Sequence, residues 1–436
     1  MAKKTKILII YHGLKSRIAL SDMIFCFKEH PNTLYYYYAI SRGKLPDSLL
    51  KVDFDLIIFH MDFLSQRRKH GFKETLFPII AELRTYSAIK IAIAQDEWIN
   101  TDNLNIFINE FNIDIVYSVA PESEFPIIYN KVDFNRVKFF KILTGYISDA
   151  TLKKIKKMAN QSRQRQIDIG YRAQAIIWLG KAGYLKGQIA DMFNLHAPRY
   201  NLVTDISSKS EDMITGDAWY RFLLNCKYVI GVESGASLHD PDGSIWKKGE
   251  NFAKKHPNAI FEEYENAIFP DLDGNLKLLA LSPRHFEAAI TGTCQVLTEG
   301  EYSGILAPGQ HYIEIKKDFS NIDEVLQKIK DDTLRSKITE RAYNDLITSG
   351  KYTYRNFVNY IITNSLQGKP LKGTNLYSFA IFVENRMIEL WITIKARKLG
   401  QENIRQAKYY IRSFPYTFLI KLGMESFKKN RAAIRY

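Results

Sequence analysis

Ser282-Pro283-Arg284-His285-Phe286-Glu287-Ala288-Ala289-Ile290-Thr291-Gly292-Thr293 is the stretch on which the reading of this chain turns. It reads as a helix that begins with basic residues and carries a carboxylate on its first turn. Small residues follow at Ala288, Ala289 and Gly292. The chain then passes through the apolar Val296-Leu297-Thr298 into a glycine-bearing loop, Glu299-Gly300-Glu301-Tyr302-Ser303-Gly304. Such a layout suits a nucleotide. Backbone N–H groups and the charges of Arg284 and His285 face a diphosphate at the helix N-terminus, and Glu287 accepts hydrogen bonds from ribose hydroxyls. An amphipathic helix leading into a buried strand has the same pattern.

Upstream, Gly231-Val232-Glu233-Ser234-Gly235-Ala236-Ser237 follows the candidate strand Tyr228–Ile230. A glycine-bounded loop with hydroxyls and a carboxylate at a strand's carboxyl end is where doubly wound folds bind ligands. His239-Asp240-Pro241-Asp242-Gly243 extends it with two more carboxylates and an imidazole. Taken alone, that segment is ordinary turn chemistry. Lys186 stands near the start of a helix after the candidate strand Ala175–Leu179 and is a phosphate-binding candidate. Asp168 lies at the entry to this half of the chain, where it could reach a cleft.

In the first half, Gln95-Asp96-Glu97-Trp98 ends the candidate strand Ile89–Ala94. One of the two carboxylates could take a proton from a hydroxyl while the indole stacks on a sugar ring; an acidic surface turn is the other reading. His12-Gly13 after the first strand supplies a further base candidate, with glycine permitting close backbone approach.

With Gly216-Asp217-x-Trp219-Tyr220, these segments resemble the GT-B-fold glycosyltransferases of the group 1 type that build bacterial surface polysaccharides. In those enzymes an FEA…G…VL segment grips the donor's ribose. The resemblance runs over residues 1–365 and is sharpest at 216–321, where Pro308–Tyr312 and Lys317-Asp318-Phe319-Ser320-Asn321 continue it. It implies two Rossmann-like, doubly wound domains facing across a cleft. The donor would be a nucleotide sugar, held by Glu287, Arg284, His285, Glu233, Ser234, Ser237, Lys186, Tyr302, Ser303 and Gly304. Asp96, Glu97 and His12 would serve the reacting acceptor, a glycan or a lipid-linked sugar. The diphosphate would be stabilised by helix dipoles and cations, with no metal and no cofactor besides the donor. One departure is plain: a carboxylate eight positions before the ribose-binding one is usual in retaining members, and here that position is Leu279.

At 436 residues and 46% hydrophobic, the chain is long enough for two domains with full cores. Candidate strands at Lys6–Tyr11, Leu34–Ile40, Leu56–His60, Ile89–Ala94 and Ile113–Val119 alternate with helical segments, which argues for a parallel sheet covered on both faces. A second series comprises strands at Ala175–Leu179, Tyr200–Val203, Tyr228–Ile230, Gln295–Thr298 and Tyr312–Lys316, again between helices. The expected division is 1–150 for the acceptor domain and 165–365 for the donor domain, with the boundary in a polar helix over Thr151–Arg165. No Walker A, GxGxxG, HExxH or nucleophile-elbow motif occurs. Cys26, Cys226 and Cys294 are too scattered for a disulfide framework or a zinc site, as suits a reducing compartment.

Residues 370–436 form a basic, aromatic tail with thirteen Lys/Arg against four Glu, which leaves nine of the chain's fourteen net positive charges there. Leu376–Leu399 is expected to be a helix with a broad apolar face, followed by Tyr409-Tyr410-Ile411-Arg412 and Phe414–Leu422. This composition suits an anionic membrane surface, and equally a helix that packs on the body or joins subunits. No run spans a bilayer and the N-terminus lacks a signal peptide, so the expected location is the cytoplasm, peripheral on the inner face of the cell membrane. A nucleotide-sugar epimerase on the same fold and a basic scaffold for anionic lipid or nucleic acid are the rival readings. Nucleic acid is set aside, because the donor-type residues lie outside the basic tail.

Overall fold

A computed structural model describes residues 4–13, 18–160, 164–257 and 259–399. The first half is built on a six-stranded parallel sheet of β1 (Thr5–Tyr11), β2 (Thr33–Ala39), β3 (Leu56–Phe59), β4 (Ile89–Ile93), β5 (Ile115–Ser118) and β6 (Lys138–Lys141), in the order β2-β1-β3-β4-β5-β6. Strand β1, TKILIIY, is buried at every position. Continuous apolar strands of this kind belong to parallel sheets with both faces covered. One face is covered by an aromatic layer that includes Phe63, Phe72, Phe77, Phe107 and Phe111.

The second half contains a five-stranded parallel sheet of β7 (Ile167–Arg172), β8 (Thr204–Ser207), β9 (Cys226–Gly231), β12 (Cys294–Thr298) and β13 (Ile313–Ile315), ordered β13-β12-β9-β7-β8. Between β9 and β12 the chain leaves this sheet and returns. On that excursion it forms a small antiparallel pair, β10 (Ser234–Ala236) with β11 (Leu278–Ala280). Each half is a doubly wound parallel α/β sheet, the two-domain plan expected from the sequence.

The helices used below are α1 (Ile18–Phe25), α2 (Asp149–Ala159), α3 (Lys181–His196), α4 (Asp217–Asn225), α5 (Ser244–Lys255), α6 (Pro283–Ile290), α7 (Tyr354–Leu366) and α8 (Leu376–Leu399). Helix α2 lies where the sequence places the boundary, beginning two residues earlier and ending at Ala159. Helix α7 returns to the first sheet, burying Tyr354, Phe357, Val358 and Ile361 against Ile7, Ile9, Ile58 and Tyr117. Helix α8 packs along β2. The sequence places a strand at Ala175–Leu179, whereas the strand is β7; residues 177–179 form a tight helical turn. Strand β7 escapes the pattern because Asp168, Gly170 and Arg172 break its apolar run. Gly170 is there because a Cβ would meet Cys226 Sγ and the Phe222 ring. Likewise the strand expected at Tyr200–Val203 is β8, a few residues on.

The two halves are joined by backbone as well as side chains. The Asp240 N–H donates to the Trp98 carbonyl at 2.7 Å, and the Asn100 N–H donates to the Asp240 carbonyl at 2.8 Å. Asn100 Nδ2 donates to the Asp242 carbonyl at 2.9 Å, and Thr101 Oγ1 meets His239 Nε2 at 2.8 Å. Gly243 lies at φ +80°, where a Cβ would come within 2.5 Å of Asn100. The His239–Gly243 segment, read from sequence as a ligand loop, is a clasp between the halves. Asp240, fully buried, also accepts from the Trp246 N–H at 2.8 Å and so starts α5.

Candidate functional site

In the second sheet the strand order reverses between β7 and β9, and doubly wound sheets bind ligands at that switch point. A cleft of about 500 Å³ lies there. It is walled by Tyr171–Gln174 after β7, Val229–Val232 at the end of β9, the start of α6, and the segment Met213–Gly216 before α4.

Helix α6 starts as its sequence directs. The Ser282 hydroxyl accepts from the Arg284 N–H at 3.4 Å, and Pro283 occupies the first turn, where a missing N–H is harmless. The N-terminus therefore opens on the cleft with its dipole positive. Arg284, exposed, donates from Nη1 to the Arg172 carbonyl at 2.8 Å and lies over the Trp219 ring, 5.6 Å from its centroid. Lys186, on α3, lines the same cleft, and no hydrogen-bond or ion-pair partner for its ammonium is found among the described residues. Burial, with added repulsion from Arg284, pulls that ammonium from 10.5 to about 8, against a smaller attraction from Asp96. Two cations thus converge on a cavity in which neither forms an ion pair, Glu287 and Asp96 acting on them only at longer range, an arrangement that suits an anion.

Glu287, half-buried, accepts from the Trp219 indole N–H at 2.8 Å on Oε2. Burial raises its carboxyl above the ordinary range, partly offset by the Trp219 hydrogen bond and by Arg284. The indole orients the carboxylate toward the cleft that both residues line. Trp219 is quoted in the sequence motif but not among the expected donor contacts, because its pairing with Glu287 joins positions 68 residues apart.

His285 is brought to the cleft wall but is buried and neutral. Burial lowers its imidazole to about 4, and Nδ1 meets Gln295 Oε1 at 2.7 Å. It does not supply the cationic charge expected of it. Glu233 turns away from this cleft and lines a neighbouring cavity. Its Oε1 accepts from the Tyr302 N–H at 2.6 Å, and a Cβ on Gly300 would lie 2.5 Å from its Oε2. This contact fixes a loop in which Tyr302 and Ser303 adopt φ +44° and +57°, costly for residues with side chains.

Tyr302 itself is fully buried, donating its hydroxyl to the Thr298 carbonyl at 2.7 Å; Ser303 Oγ accepts from the Leu281 N–H at 3.1 Å, and Gly304 is exposed. None of the three lines the cleft; together they brace the entry to α6. Ser234 does line it. Ser237 instead bonds Asp273 Oδ1 at 2.7 Å and accepts from the Ala182 N–H at 3.2 Å, securing the start of α3. Leu279 and Glu233 line a neighbouring cavity of about 480 Å³.

In the first half, Asp96, three residues beyond β4, lies at φ +53° and pairs with Arg68 at 3.2 Å; it is not among the residues that line the cleft. It is the acid of the first half whose field reaches Lys186. Its neighbour Glu97 is fully buried and accepts from Ser118, from the Tyr129 hydroxyl and from the Val119 N–H, the last at 3.0 Å. Arg67, also buried, donates to the carbonyls of Leu64, Gln95 and Ile99 and so shapes the 95–99 turn. Glu97 therefore belongs to the core and not to the cleft. His12 sits at the carboxyl end of β1 on the same sheet edge as Asp96, its N–H donating to Asp62 at 2.9 Å. Asp168 is at the opposite, amino end of β7, paired with Lys227 at 2.8 Å. No group of His, Cys, Asp and Glu positioned to hold a metal occurs among the described residues.

No family model matches the chain, and neither does any curated protein. Solved structures similar to it include T4 phage BGT in complex with its UDP-glucose substrate, with a TM-score of 0.47 and 11% identity over 83% of this chain and 99% of that one. HepE of Anabaena in complex with UDP-glucose gives 0.45 and 12%, over 83% and 99%. TarM gives 0.41 and 13%, over 71% of this chain; the chain spans 54% of TarM.

Proposed function

We propose that this chain is a glycosyltransferase that moves a sugar from a nucleoside-diphosphate donor to a glycan or lipid-linked acceptor, in the building of a bacterial surface polysaccharide. One observation carries the reading: Lys186, Arg284, the N-terminus of α6 and the Trp219-oriented Glu287 converge on one cleft at the switch point. In this reading Glu287 accepts from the ribose hydroxyls. The helix N-terminus, Arg284 and Lys186 hold the diphosphate and take up the charge that grows on it as the bond to the anomeric carbon breaks. Asp96, in the first half, takes the proton of the acceptor hydroxyl as its oxygen bonds the anomeric carbon. Cations perform the electrostatic task here without a metal, and the donor is the one bound nucleotide required.

The test is a thermal-shift panel of UDP, CDP, GDP, dTDP and CMP on the wild type and Glu287→Ala. At a hundredfold excess over Kd a ligand stabilises by about 2.7 kcal/mol. A nucleoside diphosphate that stabilises the wild type but not the variant is the expected result. If none of the five does, the donor assignment fails.

A further inference from the structure

Helix α8 has two apolar faces, and the body of the protein covers one of them. On the inner face Ile381 and Ile388 are each 3% exposed, and Phe382 meets Tyr35 and Tyr36 edge-on. The Tyr36 hydroxyl donates to the Ser378 carbonyl at 2.8 Å. Asn385 takes the place of a neighbouring strand: its Oδ1 accepts from the Tyr37 N–H at 2.9 Å, and its Nδ2 donates to the Tyr37 carbonyl at 3.0 Å. The helix thus closes the free edge of β2, a common protection for an edge strand.

The outer face is different. Leu376, Phe379, Val383 and Met387 are 64%, 43%, 42% and 52% exposed, at spacings of three, four and four residues that set them in one stripe. Neither described charge on the helix belongs to that stripe. Glu384 is buried, and the Arg386 guanidinium lies 5.0 Å from the centre of the Tyr35 ring. The chain that follows is strongly cationic: residues 390–436 hold eleven Lys/Arg against two Glu, with Tyr409, Tyr410, Phe414, Tyr416 and Phe418 among them.

We propose that the outer stripe of α8 is a docking face for an anionic lipid surface. Its four apolar side chains enter the headgroup boundary while the cations beyond them meet lipid phosphates, the division of labour of an interfacial helix. A nucleic acid would satisfy the cations but give no reason for an apolar stripe. The helix also has a direction. Its approach begins at the amino end of the sheet, where Lys6 Nζ donates to the Gly373 carbonyl, and it runs past Glu384, which feels the charge of Arg42 just beyond the carboxyl end of β2. The stripe therefore leads toward the sheet edge that carries Asp96, and would hold that edge near the bilayer.

Flotation of the full chain with phosphatidylcholine vesicles, with and without ~30% phosphatidylglycerol, tests this. The wild type should float with the anionic vesicles and less so as salt rises. Leu376→Ser/Val383→Ser/Met387→Ser should weaken that binding roughly 10- to 100-fold, with the melting temperature and the nucleotide-induced shift unchanged. Equal flotation of the variant, or none by the wild type, overturns the proposal. So does a wild-type dimer that the substitutions turn into a monomer, which assigns the stripe to a second copy. A melting temperature lowered by several degrees assigns it to the chain's own remainder. Tighter binding to a single-stranded RNA than to the vesicles at matched salt assigns the cations to nucleic acid.

Discussion

The two halves carry similar residues in opposite conditions. In the first half, at the Asp96 turn and in the core behind it, charged groups are already engaged: Glu97 by Ser118, Tyr129 and Val119, Arg67 by backbone carbonyls, Asp96 by Arg68. On the cleft wall of the second half, Lys186 stands half-buried with no ion pair among the described residues, and Arg284 holds one carbonyl and one aromatic face. Buried polar groups are normally satisfied, so a charge left unsatisfied in a cavity marks where a ligand goes. A satisfied one, however catalytic its residue type, marks architecture.

The sharpest way to break this contrast is Glu97→Ala. Removing it strips the buried Ser118 and Tyr129 hydroxyls and the Val119 N–H of their acceptor and leaves Asp96 as the larger remaining attraction on buried Arg67, so urea unfolding should show a loss of about 3–5 kcal/mol. Nucleotide affinity per folded molecule should stay as it was. A stable variant with abolished nucleotide binding would reverse the roles assigned to the two halves.

In the other half Arg284→Ala should weaken nucleoside-diphosphate binding by about 2–3 kcal/mol, roughly 30- to 150-fold by calorimetry, with little change in folding. Lys186→Met should weaken it similarly yet raise the melting temperature without ligand. The sign follows from protons. The unfolded chain holds the Lys186 proton up to its ordinary value of 10.5, whereas the folded chain releases it at about 8. Stability therefore climbs as pH rises from about 8 to 10.5, and below 8 the full penalty applies. Lys186→Met should remove that climb, and proton uptake on nucleotide binding near pH 8.5 should vanish with it.

Two buried imidazoles act with the same sign in a lower pH window. His60 and His285 are buried and held to about 4, against an ordinary 6.5. The unfolded chain binds their protons first, so stability is lost as pH falls from 6.5 toward 4. Each contributes roughly 3 kcal/mol, so the two together contribute on the order of 6 kcal/mol of that loss. His285→Gln should flatten the slope of urea midpoint against pH by about half. An unchanged slope would mean that His285 titrates like an exposed residue.

The smallest effect concerns the orienting indole. Trp219→Phe keeps an aromatic ring beside Phe222 and Arg284 but deletes the N–H that holds Glu287. Nucleotide affinity should fall by about 1 kcal/mol, near fivefold in a titration.

How legible each part was depended on how far its causes lay along the chain. Strands β1 to β5 are visible because parallel strands buried on both faces read as unbroken apolar runs, and helix α6 because its cap, proline and small residues are local. Strand β6, KFFK, is half exposed at an edge, and nothing in its composition separates it from a loop. Asp96 and Glu97 are adjacent acids at a strand end. Which one turns inward is decided by Arg67 some thirty residues earlier and Tyr129 some thirty later. The Asp-Pro-Asp-Gly turn looks the same whether it faces a ligand or Asn100. Glu233 looks like a donor contact until the loop at Gly300–Ser303 is seen to need its carboxylate. Within the site, the residues carrying free charge were readable; those whose partners lie far along the sequence were not.

The return of α7 to the first sheet has a consequence for synthesis. Ribosomes deliver the N-terminal half first, and domains fold as their residues emerge. Here one face of the first sheet is only partly covered, by Met23, Ile24 and Phe27, until Tyr354, Phe357, Val358 and Ile361 appear, long after β6 at Lys141. At ordinary synthesis rates that wait is on the order of ten to forty seconds. Through that interval the nascent chain exposes an apolar surface open to chaperones and to aggregation, and a fragment ending after α2 would never cover it.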